Sequence, residues 1–93
     1  MKNKTRFYYS TDASSFLSER IDESPDYKQA TDVFEYFVSR NRNAGFIVGK
    51  WEPLSPLCFV VKLSGLKKLA FFYYYSKKSN LISISVFAIE FAP

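Results

Sequence analysis

The hydrophobic and polar positions of this chain change their period near its middle, from helical spacing to extended runs. In the second half, three apolar runs are rich in β-branched and aromatic residues, which favour strands; they cover residues 57–63, 69–75 and 81–89. Ser64-Gly65 and residues 77–80 supply turn residues between them. Because connections this short join antiparallel neighbours, the pattern predicts a three-stranded meander.

The first half shows the three- and four-residue spacing of amphipathic helices. Residues 6–9 are a short aromatic stretch, which predicts an opening strand, and a first helix follows over about residues 12–21. Ser24 as N-cap and Pro25 at the first helical position predict a second helix over residues 25–42. The apolar stripe of this second helix comprises Tyr27, Ala30, Val33, Phe34, Phe37 and Val38.

The order of these elements predicts an α+β fold: a short N-terminal strand, two helices and a three-stranded antiparallel meander. A chain of 93 residues is long enough for one core, so residues 1–93 are expected to form a single domain. In the last strand, one face is expected to receive the helices; it comprises Ile82, Ile84, Val86 and Ala88. Trp51 is expected to pin the linking segment 46–56 to the core.

The net charge of +4 is distributed unevenly along the chain. Basic and acidic residues cancel in residues 1–30, so the whole surplus lies in residues 31–93. The basic residues of that part are Arg40, Arg42, Lys50, Lys62, Lys67, Lys68, Lys77 and Lys78, against Asp32, Glu35, Glu52 and Glu90. A basic surface favours nucleic acid or an acidic protein partner. The alternative is a sheet that lysines merely keep soluble.

Composition excludes several classes of chemistry. The chain has no histidine, which excludes histidine base catalysis, Ser-His triads and His-ligated zinc, and neither a metal nor a cofactor is expected. Cys58 is alone, so no internal disulfide can form; a reducing compartment and a core position are expected for it. No apolar run reaches 18 residues and no signal peptide is recognisable, so we expect a cytoplasmic protein without a membrane partner.

The element order, the length and one local segment resemble the RelE/ParE toxin superfamily of bacterial toxin–antitoxin modules. Residues 59–73, FVVKLSGLKKLAFFY, are similar to a segment of that family. In this segment a first strand ends in Lys-Leu, a tight turn follows, and a basic residue then begins a second strand that ends in Tyr. Residues 51–54, WEPL, resemble the loop that leads into this strand. The resemblance implies two N-terminal helices laid on a small antiparallel sheet.

The resemblance implies the toxin component of such a module, and its RNA-cleaving branch consists of ribosome-dependent mRNA interferases. In that branch, basic side chains neutralise the phosphate that a 2′-hydroxyl attacks; by position these are Lys62 and Lys68. Tyr73 and Tyr75 are expected to share a face and stack on bases. Further contacts to RNA or a partner are assigned to Lys50, Lys67, Arg40 and Arg42. The implied partners are a cognate acidic antitoxin, and the ribosome with its mRNA.

Two features leave other functions open. Cleaving members carry an Arg after the last strand and a C-terminal catalytic Tyr, whereas this chain has Glu90 and ends at Pro93. The alternatives are a non-catalytic member that inhibits a protein such as gyrase, and a small inhibitor from a phage or mobile element. Arg40 and Arg42 also have a structural explanation, because cations stabilise the C-terminus of a helix by ~0.3–1 kcal/mol.

Overall fold

The computed structural model describes residues 4–47 and 56–92, in which two helices pack on one face of a five-stranded sheet. The elements are β1 (Lys4–Tyr9), α1 (Thr11–Glu23), α2 (Pro25–Arg40), β2 (Phe46–Ile47), β3 (Leu57–Lys62), β4 (Lys68–Lys78) and β5 (Leu81–Ala92). The predicted α+β class is confirmed. No helix within these described residues has the length and apolar character needed to span a membrane.

The sheet is mixed and has the strand order β1-β5-β4-β3-β2. Strands β3, β4 and β5 form an antiparallel meander, but β1 pairs with β5 in parallel, from Lys4 opposite Leu81 to Tyr9 opposite Val86. The wholly antiparallel sheet implied by the family resemblance is therefore wrong for this chain. Parallel neighbours need a long crossover, and here the two helices begin that crossover.

Serine caps set where both helices begin. The Ser10 hydroxyl accepts a hydrogen bond from the Ala13 amide at 3.1 Å, and the Ser24 hydroxyl accepts one from the Asp26 amide at 3.2 Å. Helix α2 ends at Arg40, with the Asn41 amide donating to the Phe37 carbonyl. The predicted end at residue 42 is therefore two residues too late, because Asn41 is already extended (φ −148°, ψ 102°).

Phe34 is the centre of the core. Its ring is fully buried and stacks on Phe71 at 4.4 Å between centroids, with the rings of Phe7, Phe59 and Tyr73 edge-on within 6 Å. Four members of the predicted stripe are buried, namely Tyr27, Ala30, Phe34 and Val38. Phe37 is not: it is 49% exposed and lies flat on Phe59 at the rim of the core.

An irregularity in β5 changes which of its residues face the helices. Phe72 pairs with Ala88, but the next residue, Tyr73, pairs with Val86, so Phe87 is an extra residue on β5. Because of this extra residue, the side chains that follow it on β5 exchange faces relative to strict alternation. Ile89 is consequently buried against the helices, and the assignment of Ala88 to that face is wrong.

The segment after α2 is tied to β4 through the Tyr73 side chain. The Tyr73 hydroxyl donates to the Arg42 carbonyl at 3.0 Å and accepts from the Gly45 amide at 2.9 Å. A Cβ atom at Gly45 would lie 2.6 Å from the Cys58 carbonyl oxygen, so only glycine fits this close approach. The anchor predicted from Trp51 lies outside the described residues.

Candidate nucleic-acid interface

The sheet presents a second face, on the side away from both helices, which we call the distal face. Its side chains alternate along each strand with those of the helix-packed core, and none of them belongs to that core. From β1 to β3, its main members are Lys4, Arg6, Tyr8, Ser83, Ser85, Phe87, Glu90, Lys68, Phe72, Tyr74, Ser76, Lys78, Cys58, Val60 and Lys62.

The two lysines assigned to catalysis are brought together on this face. Lys62 ends β3 and Lys68 begins β4, and the two are directly opposed in the register. Between them, the Leu63 amide donates to the Lys67 carbonyl at 2.9 Å, and Gly65 adopts a positive φ of 75° in the turn. The turn is held to α2 because the Ser64 hydroxyl donates to the Asp26 carboxylate at 2.6 Å.

Opposed lysines are an unfavourable pair for the fold itself. Directly opposed side chains begin about 5 Å apart, and like charges in such a pair destabilise a sheet. The ion pairs within the described residues are Arg20–Glu23 and Lys28–Asp32, both on helices, so neither lysine has an ion pair there. An anion placed between Lys62 and Lys68 would remove this repulsion.

The other predicted contacts fall in different places. Lys67 is exposed in the turn beside the pair, while Arg40 and Arg42 lie at the far end of the sheet, near the start of β1. Strand β4 has 11 residues, and its ten steps from Lys68 to Lys78 span about 33 Å, so these two arginines cannot contact the same phosphate as Lys62. Lys50 lies outside the described residues.

Aromatic contacts explain the positions of both arginines. The Arg40 guanidinium lies 3.6 Å from the centre of the Tyr36 ring and donates to the Tyr36 carbonyl at 3.0 Å. The Arg42 guanidinium lies 5.0 Å from the centre of the Tyr75 ring. The bond to the Tyr36 carbonyl supports the helix-terminus explanation offered for Arg40, whereas Arg42 lies beyond the end of α2 and packs on β4 instead.

Tyr73 cannot act as a platform for bases. Its side chain is fully buried on the helix-packed face, and its hydroxyl is engaged on both sides as described above. Burial also raises the pKa of the Tyr73 hydroxyl, which keeps it a neutral donor. Tyr75 shares this face, as predicted, but it packs against the core and lies away from the Lys62–Lys68 pair.

The residues that sequence reasoning missed are the aromatic residues of the distal face. Phe87 lies 6.3 Å from Phe72 and 6.0 Å from Tyr74, the latter nearly parallel at 29°, and Tyr8 on β1 is 49% exposed. Arg6, Lys4 and Lys78 lie at the far end of the same face. One sequence feature could have indicated this face: Lys4, Arg6 and Tyr8 occupy every second position of β1 and therefore share one side of the sheet.

Among the described residues, the acidic groups of the distal face are Glu90 and the thiol of Cys58, together with the tyrosine hydroxyls. Glu90 is its one carboxylate among the described residues and is exposed, opposite Ala70 and diagonal to Lys68. Burial, with a contribution from Glu90, raises the pKa of the Cys58 thiol and so disfavours a reactive thiolate. Residues 4–47 and 56–92 contain no group of three or more Cys, Asp or Glu side chains placed to hold a metal.

Comparison with models of protein families, with curated proteins and with solved structures found no match to this chain. The resemblance to RelE/ParE toxins therefore rests on the residues quoted above and on the order of the elements. The function proposed below rests on that resemblance and on the distal face.

Proposed function

We propose that this chain is the toxin of a toxin–antitoxin module and that it acts in the cytoplasm by binding single-stranded RNA across the distal face. The observation that carries the proposal is the opposed pair Lys62 and Lys68. Two cations that repel each other and have no ion pair in the described residues are suited to a phosphate group.

The charge of the distal face supports an RNA ligand. Its basic residues are Lys4, Arg6, Lys62, Lys68 and Lys78, and within the described residues its one acidic residue is Glu90. Basic groups lie at both ends and aromatic rings lie between them. That arrangement matches the general design of single-strand binding surfaces, in which cations track the backbone and aromatic rings stack on bases.

For cleavage of the bound strand we assign three roles to side chains at the same end of the distal face. The 2′-oxygen attacks its neighbouring phosphorus while the bond from phosphorus to the 5′-oxygen breaks. Glu90 is the available carboxylate to accept the 2′-hydroxyl proton, and Lys68 is the available donor for the leaving 5′-oxygen. Lys62 stabilises the negative charge that builds on the phosphate.

The partner that fits this surface in the absence of RNA is an acidic antitoxin segment. Such a segment would contact the same lysines, so antitoxin and RNA would compete for the distal face. Electrostatic attraction between them would make association faster at low salt than at physiological salt.

Growth on induction of the gene tests the proposal. Expression without an antitoxin is expected to arrest growth, and Lys62→Ala/Lys68→Ala is expected to abolish the arrest at equal protein level and unchanged melting temperature. Lys28→Ala, on the exposed side of α2, is the matched control and is expected to remain toxic. A folded Lys62→Ala/Lys68→Ala protein that still arrests growth would contradict the proposal.

Glu90→Gln separates cleavage from binding. This variant keeps the lysines and the shape of the site but removes the proton acceptor. We expect RNA affinity to be retained or increased while cleavage in a translation reaction falls by about 10²–10⁴-fold. If the wild-type protein arrests growth but cleaves no RNA, the result favours the alternative, a non-catalytic inhibitor of a protein target.

A further inference from the structure

We infer that a cleft between the end of α2 and the start of β1 binds a phosphate group, carried by a small molecule or as the free ion. The cleft has a volume of about 630 Å³ and lies on the helix-packed side of the sheet, opposite the distal face. Its polar lining comprises Lys4, Thr5, Ser39, Arg40, Asn41 and Arg42. The inference goes beyond the proposed function, because it concerns another side of the molecule and a ligand other than an RNA strand.

The floor of the cleft is the edge of the hydrophobic core. Val38 on α2 and Ile82 on β5 both line the cleft, and both are buried. Thr5 is paired with Ile82 in the parallel register, and Lys4 begins β1 at the edge of the sheet. The volume lies within the ~300–1,000 Å³ that is typical of small-molecule sites, which leaves room for a group attached to the phosphate.

Positive charge is concentrated in this cleft. Lys4, Arg40 and Arg42 line it, and its lining within the described residues includes no Asp or Glu. Lys77 is a fourth basic residue beside the cleft, because it is exposed and is paired with Ile82 in the register of β4 and β5. A concave site with one sign of charge raises the local concentration of an oppositely charged ligand.

Aromatic rings hold both guanidinium groups of the cleft. The Arg40 group lies 3.6 Å from the centre of the Tyr36 ring, and the Arg42 group lies 5.0 Å from the centre of the Tyr75 ring. Side chains that are already held in place lose less freedom when a ligand binds. A guanidinium also presents paired N–H donors in one plane, which match two oxygens of a phosphate.

The Arg42 Nε atom is the observation that indicates a bound oxyanion. It is buried, and within the described residues it has no hydrogen-bond partner. Buried polar groups of native proteins nearly always have a partner, so an exception calls for an explanation such as a bound ion. A phosphate that approaches along the Nε edge of this guanidinium would supply the acceptor.

The carbonyl groups at the end of α2 do not oppose an anion in the cleft. The Tyr36 carbonyl accepts hydrogen bonds from the Ser39 hydroxyl and from the Arg40 guanidinium, each at 3.0 Å. The Arg42 carbonyl accepts one from the Tyr73 hydroxyl. Because these bonds engage the carbonyl oxygens, the cations determine the charge that a ligand meets.

Amide chemical shifts of the isotope-labelled full chain test the site, because they detect weak binding and locate it. Titration with uridine 5′-monophosphate (UMP) and with inorganic phosphate is expected to shift the amides of Thr5, Ile82 and residues 40–42. Uridine, which lacks the phosphate, is expected to leave them unchanged. Tighter binding of UMP than of inorganic phosphate would identify an organic phosphate as the ligand, and equal binding would identify the free ion.

Substitutions within the cleft measure the contribution of its charge. Arg42→Gln is expected to weaken UMP affinity by about 10- to 150-fold, as for one lost charge-assisted hydrogen bond. Ser39→Glu places a carboxylate in the cleft without removing a cation and is expected to abolish binding, whereas Ser39→Gln is expected to retain it. Ser39 is exposed, so these two variants are expected to fold, and circular dichroism melts check that for every variant.

Two control variants separate the cleft from the rest of the charged surface. Arg20→Gln removes an arginine that also lies against aromatic rings, those of Phe16 and Phe91, and is expected to bind UMP as the wild type does. Lys62→Ala/Lys68→Ala is expected to leave UMP binding unchanged even where it abolishes RNA binding. Failure of the proposed function is therefore distinguishable from failure of the cleft.

Three results would overturn the inference. In the first, folded Arg42→Gln and Ser39→Glu proteins bind UMP as tightly as the wild type. In the second, phosphate and UMP shift the amides of Lys62 and Lys68 and not those of the cleft. In the third, uridine shifts the cleft amides as much as UMP does, or neither UMP nor inorganic phosphate shifts them at low salt.

Discussion

The contrast between Phe34 and Phe37 on the same helix is the clearest stability prediction. Phe34→Ala removes a fully buried ring that stacks on Phe71 at 4.4 Å and touches three more aromatic rings. Deleting a buried Phe costs about 3–5 kcal/mol, whereas a domain of this length has a total stability of about 5–14 kcal/mol. We expect the melting temperature to fall by about 12–40 °C.

Phe37→Ala is the matched control for that substitution. Its ring is 49% exposed, so the substitution removes about half of the ~1.5–3 kcal/mol that full burial of such a side chain contributes to stability. Alanine is also the better helix former, which offsets part of the loss. We expect a cost of about 1 kcal/mol or less.

Urea denaturation followed by circular dichroism measures both costs. The midpoint should fall steeply for Phe34→Ala and little for Phe37→Ala, with similar slopes for the two, because the slope reports the surface exposed on unfolding. Equal costs for the two substitutions would refute the placement of α2, since that placement makes Phe34 central and Phe37 peripheral.

Two other predictions follow from specific contacts. The Tyr9 hydroxyl donates to the Glu35 carboxylate at 2.5 Å. Burial together with this bond raises the pKa of the Tyr9 hydroxyl above the usual value of about 10. As pH rises, Tyr9 therefore loses its proton in the unfolded chain before it does so in the folded protein. The free energy of unfolding should therefore fall above pH 10, and Tyr9 should contribute up to about 1.4 kcal/mol per pH unit to that fall. Denaturation measured at several pH values should show a smaller fall in Tyr9→Phe than in the wild type. Gly45→Ala places a Cβ 2.6 Å from the Cys58 carbonyl oxygen and 2.9 Å from the Tyr73 hydroxyl, and should cost about 1–3 kcal/mol by thermal denaturation; an unchanged melting temperature would contradict the close approach.

The periodic pattern of the sequence was sufficient to predict the helices and the meander. Ser24 and Pro25 mark the start of α2 by side-chain chemistry that acts locally, and the turn at Gly65 needs the positive φ that glycine adopts readily. The same local reasoning could not place β1. Strand β1 pairs with β5, which lies at the opposite end of the chain. The residues of β1 themselves, 4–9, do not indicate which strand they pair with.

The two faces of β4 were the main obstacle to predicting the candidate site. Phe71, Tyr73 and Tyr75 alternate with Phe72 and Tyr74, so both faces of this strand are aromatic and the pattern does not show which set meets the helices. Burial shows that the Phe71 set does, which removes Tyr73 from the proposed RNA-binding surface.

The bulge in β5 was equally hidden from the pattern. Strict alternation places Ala88 with Val86, and one extra residue at Phe87 is enough to exchange Ala88 for Ile89 on the helix-packed face. In contrast, Lys62 and Lys68 were assigned from the family resemblance, and the short turn between them explains why the two are opposed in the register.

The central claim is that Lys62 and Lys68 bind phosphate on the distal face, and the salt dependence of RNA affinity tests it most directly. The logarithm of the affinity for oligouridine, plotted against the logarithm of salt concentration, should have a slope about 0.7 shallower in Lys62→Ala and in Lys68→Ala than in the wild type. Lys28→Ala, which removes the same charge from α2, should leave the slope unchanged. Slopes that stay at the wild-type value in both pair variants, or that fall equally in Lys28→Ala, would contradict the account.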